Sequence, residues 1–292
     1  MESGPALRLA RRGERALQSR AMPLPILQAF AEPTPENLVR LFHRTELHWT
    51  RHLGEEAQLD FGTAFTNPAL DRVAAANGMF DASLPEGTAP RAAVEEAEAH
   101  FAEQGVRCRQ WVLNPAAPEA RTRPLADHLL ESGHRAAPLD IMHLSGRPAG
   151  VVREVAGLTI IPARASFRHV RALAEEALAP WNDPQLVESA LLHLDDPHWD
   201  ALLALREGKP VAHAGVLAAG DVGRIDQVYV SPEFRRQGIG RTMMGRALEI
   251  CARSLFKHVM LYVNPGHSEA LALYAQLGFR KIGQLVTYVR GE

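Results

Sequence analysis

Two periods of hydrophobicity alternate along this chain. From Leu38 to Leu53, the residues Leu38, Leu41, Phe42 and Thr45 recur at helical spacing and share one face. Ala57 to Gly78 instead shows short strand-like runs, broken by Gly62, Asn67 and Pro68. Ala92 to Gln104 predicts an amphipathic helix that Gly105 ends. Strand, helix and strand then follow at Arg109–Leu113, Pro124–Ser132 and Leu139–Leu144. Further on, Leu158–Ile161 predicts a strand, and Phe167–Ala177 and Pro184–Leu192 predict helices. Ala201–Arg206 and Val211–Ala218 form a strand pair around the turn Glu207-Gly208-Lys209-Pro210. Ile225–Val230 is the next strand, and Gly240–Ser254 a helix with Met244, Ala247, Leu248 and Cys251 on one face. The β-branched run Val259–Val263, the helix Ser268–Gln276 stopped by Gly278, and the strand Val286–Arg290 complete the pattern.

Strands alternating with helices predict an α/β fold with a mixed sheet. The loop Gly146-Arg147-Pro148-Ala149-Gly150 divides the pattern into blocks at 33–146 and 151–292, preceded by an arm at 1–32. The blocks end alike. Leu129-Leu130-Glu131-Ser132-Gly133-His134-Arg135 and Tyr274-Ala275-Gln276-Leu277-Gly278-Phe279-Arg280 each give a helix, a Gly cap, an Arg and a final strand. The two blocks read as two copies of one fold.

Composition narrows the partners. A net charge of -2 does not supply the dense basic face that nucleic acid demands. No apolar run reaches the roughly 20 residues that span a bilayer. Cys108 and Cys251 lie far apart without metal-ligand spacing, which points to a reducing, cytoplasmic setting. The arm carries Arg8, Arg11, Arg12, Arg15 and Arg20 but no apolar region of a secretory signal. It reads either as a disordered arm that touches polyanions or as an extension ahead of a start at Met22.

The segment from Val228 to Arg241 concentrates the chemistry. A strand ends at Val228-Tyr229-Val230, a loop carries Arg235, Arg236, Gln237 and Gly238, and a helix opens at Ile239-Gly240-Arg241. Glycines let the backbone approach a ligand closely. Amides at a helix N-terminus carry partial positive charge and bind phosphate oxygens. The pattern therefore predicts a pyrophosphate site, although a lone G-x-G also suits a tight strand-to-helix turn.

This segment resembles the acetyl-coenzyme A motif R/Q-x-x-G-x-G/A of the GNAT (GCN5-related N-acetyltransferase) superfamily, with Arg235, Gly238 and Gly240 in its defining positions. Val263 to Phe279, with Leu273-Tyr274-Ala275-Gln276-Leu277-Gly278-Phe279, is similar to the family's second signature. The resemblance covers Leu158 to Arg290. It implies acetyl-CoA as co-substrate and an N-acetyltransferase acting on a primary amine, by preference a small molecule. It also implies that the strand ending at Val230 splays from its neighbour and pairs with the pantetheine arm through the main chain of Val228, Tyr229 and Val230.

Acetyl transfer needs a neutral amine, a polarised carbonyl and a stabilised thiolate. The resemblance places the thiolate beside Tyr274 as proton donor; without it, Tyr274 reads as a half-buried helix aromatic. Asp226 reads either as the base, acting through water, or as a solvated edge carboxylate. The base Glu of some relatives has no counterpart in Met260-Leu261-Tyr262. His267 stands where many relatives have an Asn touching the cofactor, and reads as a replacement contact or a plain loop residue. His213 reads as a satisfied sheet residue. These gaps keep a second function open, a coenzyme A-binding sensor or scaffold without transfer.

The first block lacks these features. Its loop Met79 to Pro90 has one Gly, no basic residue and two carboxylates, and Leu129 stands at the position of Tyr274. Such a copy would cover the sheet and shape the acceptor pocket without binding coenzyme A. His43, Glu46, His48, Trp49 and His52 read as a polar helix face, and no metal site is expected.

Overall fold

The computed structural model describes residues 33–144 and 154–290; the arm at 1–32 and the loop 146–150 lie outside them. The chain forms, in order, α1 (Pro35–Arg51), β1 (Glu55–Leu59), β2 (Gly62–Thr66), β3 (Gly78–Ala82), α2 (Pro90–Glu103), β4 (Gln110–Leu113), α3 (Glu119–Glu131) and β5 (His134–Leu144). Then come β6 (Leu158–Pro162), α4 (Phe167–Leu178), α5 (Pro184–Leu192), β7 (Trp199–Arg206), β8 (Lys209–Ala219), β9 (Val222–Val230), α6 (Ile239–Arg253), β10 (His258–Val263), α7 (Ser268–Gln276) and β11 (Phe279–Arg290). The expected mixed α/β fold is present, as one eleven-stranded sheet ordered β1-β2-β3-β4-β11-β5-β10-β9-β8-β7-β6.

The centre of this sheet joins the two halves of the sequence. Strand β11 lies between β4 and β5, and β5 lies between β11 and β10. The antiparallel ladder of β11 with β5 runs from Phe279 opposite Leu144 to Arg290 opposite His134. The order β3-α2-β4-α3-β5 repeats as β9-α6-β10-α7-β11. Within each set the first two strands pair in parallel, β3 with β4 and β9 with β10. Each set also carries one non-glycine residue with left-handed backbone in its first strand, Asp81 at φ 54° and Gln227 at φ 52°.

Several elements are longer than the periodicity predicts. Strand β11 starts at Phe279 rather than Val286. Arg280, Lys281 and Gln284 break the apolar pattern there, but the backbone of β5 pairs across them, with a bulge between Lys281 and Gly283. Strand β5 likewise starts at His134. Helix α3 starts at Glu119 and carries Pro124 inside it, not at its start. Residues Met79–Ala82, read as loop, complete β3. The β7–β8 turn has left-handed Glu207 (φ 52°) and Gly208 (φ 78°), the pair a two-residue hairpin requires.

Helix α1 packs on the join. Thr34 caps it, accepting from the Asn37 N–H at 3.3 Å, and Pro35 opens its first turn. Its Leu38 and Phe42 share a buried cluster with Ile141 of β5, Met260 of β10 and Leu285 of β11. The face bearing His43 and Glu46, read as a polar helix face, turns inward, and His43 is buried, as is Thr45 of the apolar face. It does so because β9 presents a buried cation to it. Helices α6 and α7 pack through Met244, Ala247, Leu248, Cys251 and Tyr274 onto β9 and β10. Among the described residues no helix is long and apolar enough to cross a membrane.

Gly215 of β8 holds the register at the functional end of the sheet. It lies opposite Asp226 of β9 and Ala201 of β7. The ring of Trp199 covers it so closely that a Cβ would stand 2.2 Å from the indole. Gly215→Ala should therefore cost about 1–3 kcal/mol through overpacking and lower Tm by roughly 3–10 °C, measured by thermal denaturation. An unchanged Tm would show that Trp199 does not fill this space.

Candidate functional site

A fork between two parallel strands dominates the site. β9 and β10 pair only at Val222–His258, Gly223–Val259 and Arg224–Met260. Past Arg224, β9 bulges. Its register against β8 slips between His213 and Gly215, and Gln227 turns left-handed. The Asp226 carboxylate accepts from the Gln227 N–H at 2.7 Å and fixes this kink. The ladder to β10 ends here, so β9 from Ile225 to Val230 parts from it. The matching strands of the first half stay closed. After their own bulge, β3 and β4 pair again at Ala82–Leu113, and the Asn114 N–H donates to the Ala82 carbonyl at 2.9 Å.

The loop beyond β9 delivers the start of α6 to the fork. Arg236 (φ 62°) and Gly238 (φ 85°) both take left-handed backbone, and among the described residues no side chain caps the helix at Gly238. Its first amides are thus left for a ligand or solvent. Among the described residues, a Cβ on Gly238 would meet Val155 alone, at an ordinary contact distance of 3.6 Å, so none of them crowds it. Ile239 is buried and anchors the start of the helix. Gly240 is more closely packed: a Cβ there would stand 3.6 Å from Val230 and 3.7 Å from Leu273. The loop's polar side chains brace it. Arg235 donates to the Val230 carbonyl at 3.0 Å, Gln237 to the Glu233 carbonyl at 3.1 Å, and Arg241 to Gln276 at 2.6 Å. Arg236 pairs with Glu269 at 3.3 Å.

On the far side of the fork, α7 buries Tyr274 against Phe279. Burial, with the charge of Asp226 second, pushes the Tyr274 phenol up to about 12. Asp226 is not the solvated edge carboxylate of one sequence reading. Its Oδ2 lies 2.5 Å from Arg224, which is 1% exposed. Arg224 also reaches Glu46 of α1 at 2.5 Å and Thr45 at 3.3 Å, and lies among the rings of Phe42, Trp49 and Tyr262. Burial holds the Glu46 carboxyl above its usual range, with Asp226 adding to the rise and Arg224 opposing it.

The structure thus brings Asp226, Val228, Tyr229, Val230, the loop Arg235–Arg241 and Tyr274 to one end of the sheet. His267 lies on the exposed turn before α7, where its backbone N–H donates to the Asn264 carbonyl at 2.9 Å. Burial lowers His213 to about 4, with Asp226 opposing, so it is neutral at ordinary pH. Sequence reasoning misses three residues. Arg224 lies just ahead of the predicted strand Ile225–Val230, and only the inward face of α1 reveals its partners. Glu46 reads as solvated. Glu176 of α4 accepts from the Ser231 hydroxyl at 2.7 Å at the end of β9, a contact across 55 residues that no local pattern signals.

Comparison with known proteins fits this arrangement. Residues 167–279 match the Acetyltransferase (GNAT) family, and the chain carries a domain of that family there. A mycothiol acetyltransferase from Kocuria rhizophila is 29% identical over 160 residues, 51% of this chain and 51% of that protein. The chain therefore spans about half the length of that relative. A Bacillus subtilis protein with the provisional name [ribosomal protein bS18]-alanine N-acetyltransferase is 24% identical over 110 residues, 38% of this chain and 71% of that one. In fold, the chain is similar to a GCN5-related N-acetyltransferase from Kribbella flavida, with a TM-score of 0.59, 19% identity, and coverage of 87% and 96%.

The site makes the tyrosines a spectroscopic handle. Tyr262 is raised first by Asp226 and then by burial; Tyr229 and Tyr288 are raised first by burial. With Tyr274, all four tyrosines of the chain lie above the ordinary phenol value of about 10. A folded value above the unfolded one means that the native state holds its protons more tightly. The associated stability is whole below about pH 10 and is lost as pH rises through the folded values. Phenolate absorbance of the native protein should stay low at about pH 10, where the denatured chain is half ionised. A native curve that superimposes on the denatured one would contradict the packing around Tyr262 and Tyr274.

Proposed function

We propose that the chain is an acetyl-CoA-dependent N-acetyltransferase whose acceptor is a small primary amine. The observation that carries the reading is the fork at Arg224–Met260 with an uncapped helix start at its mouth. An open strand edge offers main-chain groups to an amide-bearing arm, and helix amides suit a pyrophosphate. None of the described residues crowds Gly238, which would let those oxygens approach. Acetyl-CoA would supply the activated acetyl thioester. Val228, Tyr229 and Val230 then orient the arm through backbone groups. The amides of Gln237 to Arg241 hold the pyrophosphate, with Arg235, Arg236 and Arg241 adding positive charge.

Tyr274 keeps its proton at working pH and donates it toward the departing sulfur. Asp226 takes the amine's proton through water. Each carboxylate oxygen has a second lone pair beyond those engaged by Arg224 and the Gln227 N–H. The carboxylate of Glu176, at the end of β9, favours a cationic acceptor on that side. The relatives' names point both to mycothiol and to an alanine of a ribosomal protein; the absent carboxylate in Met260–Tyr262 favours the small amine. A cytoplasmic setting suits this reading. Both cysteines are buried and free, and burial pushes each thiol up to about 12, far from reactive.

The ion pair that occupies Asp226 supports a second reading, a sensor that binds acetyl-CoA without transfer. Turnover separates the two. In an acetylation screen across small amines, read as free thiol and product mass, the parent protein should turn over. Tyr274→Phe should lower that turnover about tenfold or more while acetyl-CoA affinity holds. An unchanged rate would remove Tyr274 from the chemistry. Tight acetyl-CoA binding with no product from any amine would favour the sensor.

A further inference from the structure

The fork accounts for Glu46 and Arg224, but not for a second polar cluster on the same helix. His48, three residues past Thr45 on α1, comes within 3.8 Å of Asp196, which lies on the turn before β7. His198, two residues along that turn, places Nδ1 3.2 Å from the same carboxylate. One ligand atom from each of the three lies within 4.8 Å of the others. The Asp196 side chain is 3% exposed, and its buried Oδ2 has no hydrogen-bond partner. An ionised carboxylate oxygen rarely stays buried and unpaired. That unsatisfied atom faces His48, the residue at 3.8 Å from it.

The turn that carries these groups is held in shape. The Arg164 guanidinium donates to the carbonyls of Leu194, Asp196 and Trp199, the last at 3.0 Å. The Asp196 Oδ1 accepts from the His198 N–H at 2.8 Å. Asp196 is thus fixed in place, whereas the His198 side chain is 56% exposed and has room to swing. The T-shaped contact of the His48 and His198 rings brings the two imidazoles together beside the carboxylate.

We propose that His48, Asp196 and His198 form a binding site for a borderline divalent transition-metal ion, with Zn²⁺ as the natural occupant. Two imidazoles and one carboxylate are a donor set that such ions accept, with one or more positions left for water. Metal–ligand distances of about 2.0–2.2 Å require donor atoms roughly 3–4 Å apart, a closing that rotation of the exposed His198 supplies. The ion would satisfy Asp196 Oδ2 and staple α1 to the turn before β7. The site stands independently of acetyl transfer.

Untagged full-length protein, stripped with chelator and dialysed, is titrated with Co²⁺ and read by visible d–d absorbance and calorimetry. Zn²⁺ is then added in competition. One equivalent of Co²⁺ should bind, be displaced by Zn²⁺, and raise Tm. His198→Ala, whose exposed side chain can be lost without disturbing the fold, should weaken binding about tenfold or more and abolish the Tm rise, with unchanged circular dichroism. Asp196→Asn should do the same. Binding of well under one equivalent by the parent, or equally tight binding by folded His198→Ala, would overturn the proposal.

Discussion

A buried guanidinium organises this protein's functional end. Arg224 is the last residue of β9 paired with β10, and it is 1% exposed. A lone charge at that depth would cost many kcal/mol. Glu46 on one side and Asp226 on the other make it tolerable, and the rings of Phe42, Trp49 and Tyr262 enclose the rest of the group. Each partner has a structural consequence. Glu46 pulls the polar face of α1 onto the sheet. Asp226 is held where it can cap the Gln227 amide and set the bulge from which β9 leaves β10. Buried ion pairs are poor sources of stability, and in some proteins they specify one arrangement instead. Here the specificity is positional, because the pair ties the first helix to the point where the strands part.

The two halves differ in the path of the chain past the bulge. β3 and β9 each kink at a left-handed residue, yet β3 rejoins β4 and β9 does not rejoin β10. Beyond β3, the Leu84 N–H donates to the Arg121 carbonyl, and the Arg121 guanidinium returns to the Leu84 carbonyl at 2.6 Å. That loop is closed against α3 and carries no basic residue. We propose that the first half is a copy of the same fold that has lost the cofactor and kept the architecture, lending β5 to the second half's sheet and α1 to its cover.

Much of the site is legible in the sequence because it is local. The run from Val228 to Arg241 holds strand, glycine-bearing loop and helix start within a single stretch, and Tyr274 lies in a short helix with a clear apolar face. The features that escape sequence reading depend on long-range pairing. The polar residues of β11 hide seven residues of strand that only β5 reveals. Asp81 reads as a loop carboxylate but sits inside β3. Glu46 and His48 read as solvated, because helical spacing shows which residues share a face and not whether that face meets water or a buried arginine. The exchange of central strands has no sequence signature of its own, since each strand reads alike beside either neighbour.

The central claim is that the opening before Gly238 receives the pyrophosphate of coenzyme A. Calorimetry of acetyl-CoA binding to Gly238→Glu, with circular dichroism as the folding control, tests it most directly. The position is exposed, and among the described residues a Cβ there meets only Val155, at contact distance, so the fold should survive apart from local strain at φ 85°. A carboxylate there would repel phosphate and displace it from the helix amides. Losing two charge-assisted hydrogen bonds, at about 1.5–3 kcal/mol each, should weaken binding roughly 100-fold or more. A folded Gly238→Glu protein that binds acetyl-CoA as tightly as the parent would show that this loop is only a turn between strand and helix.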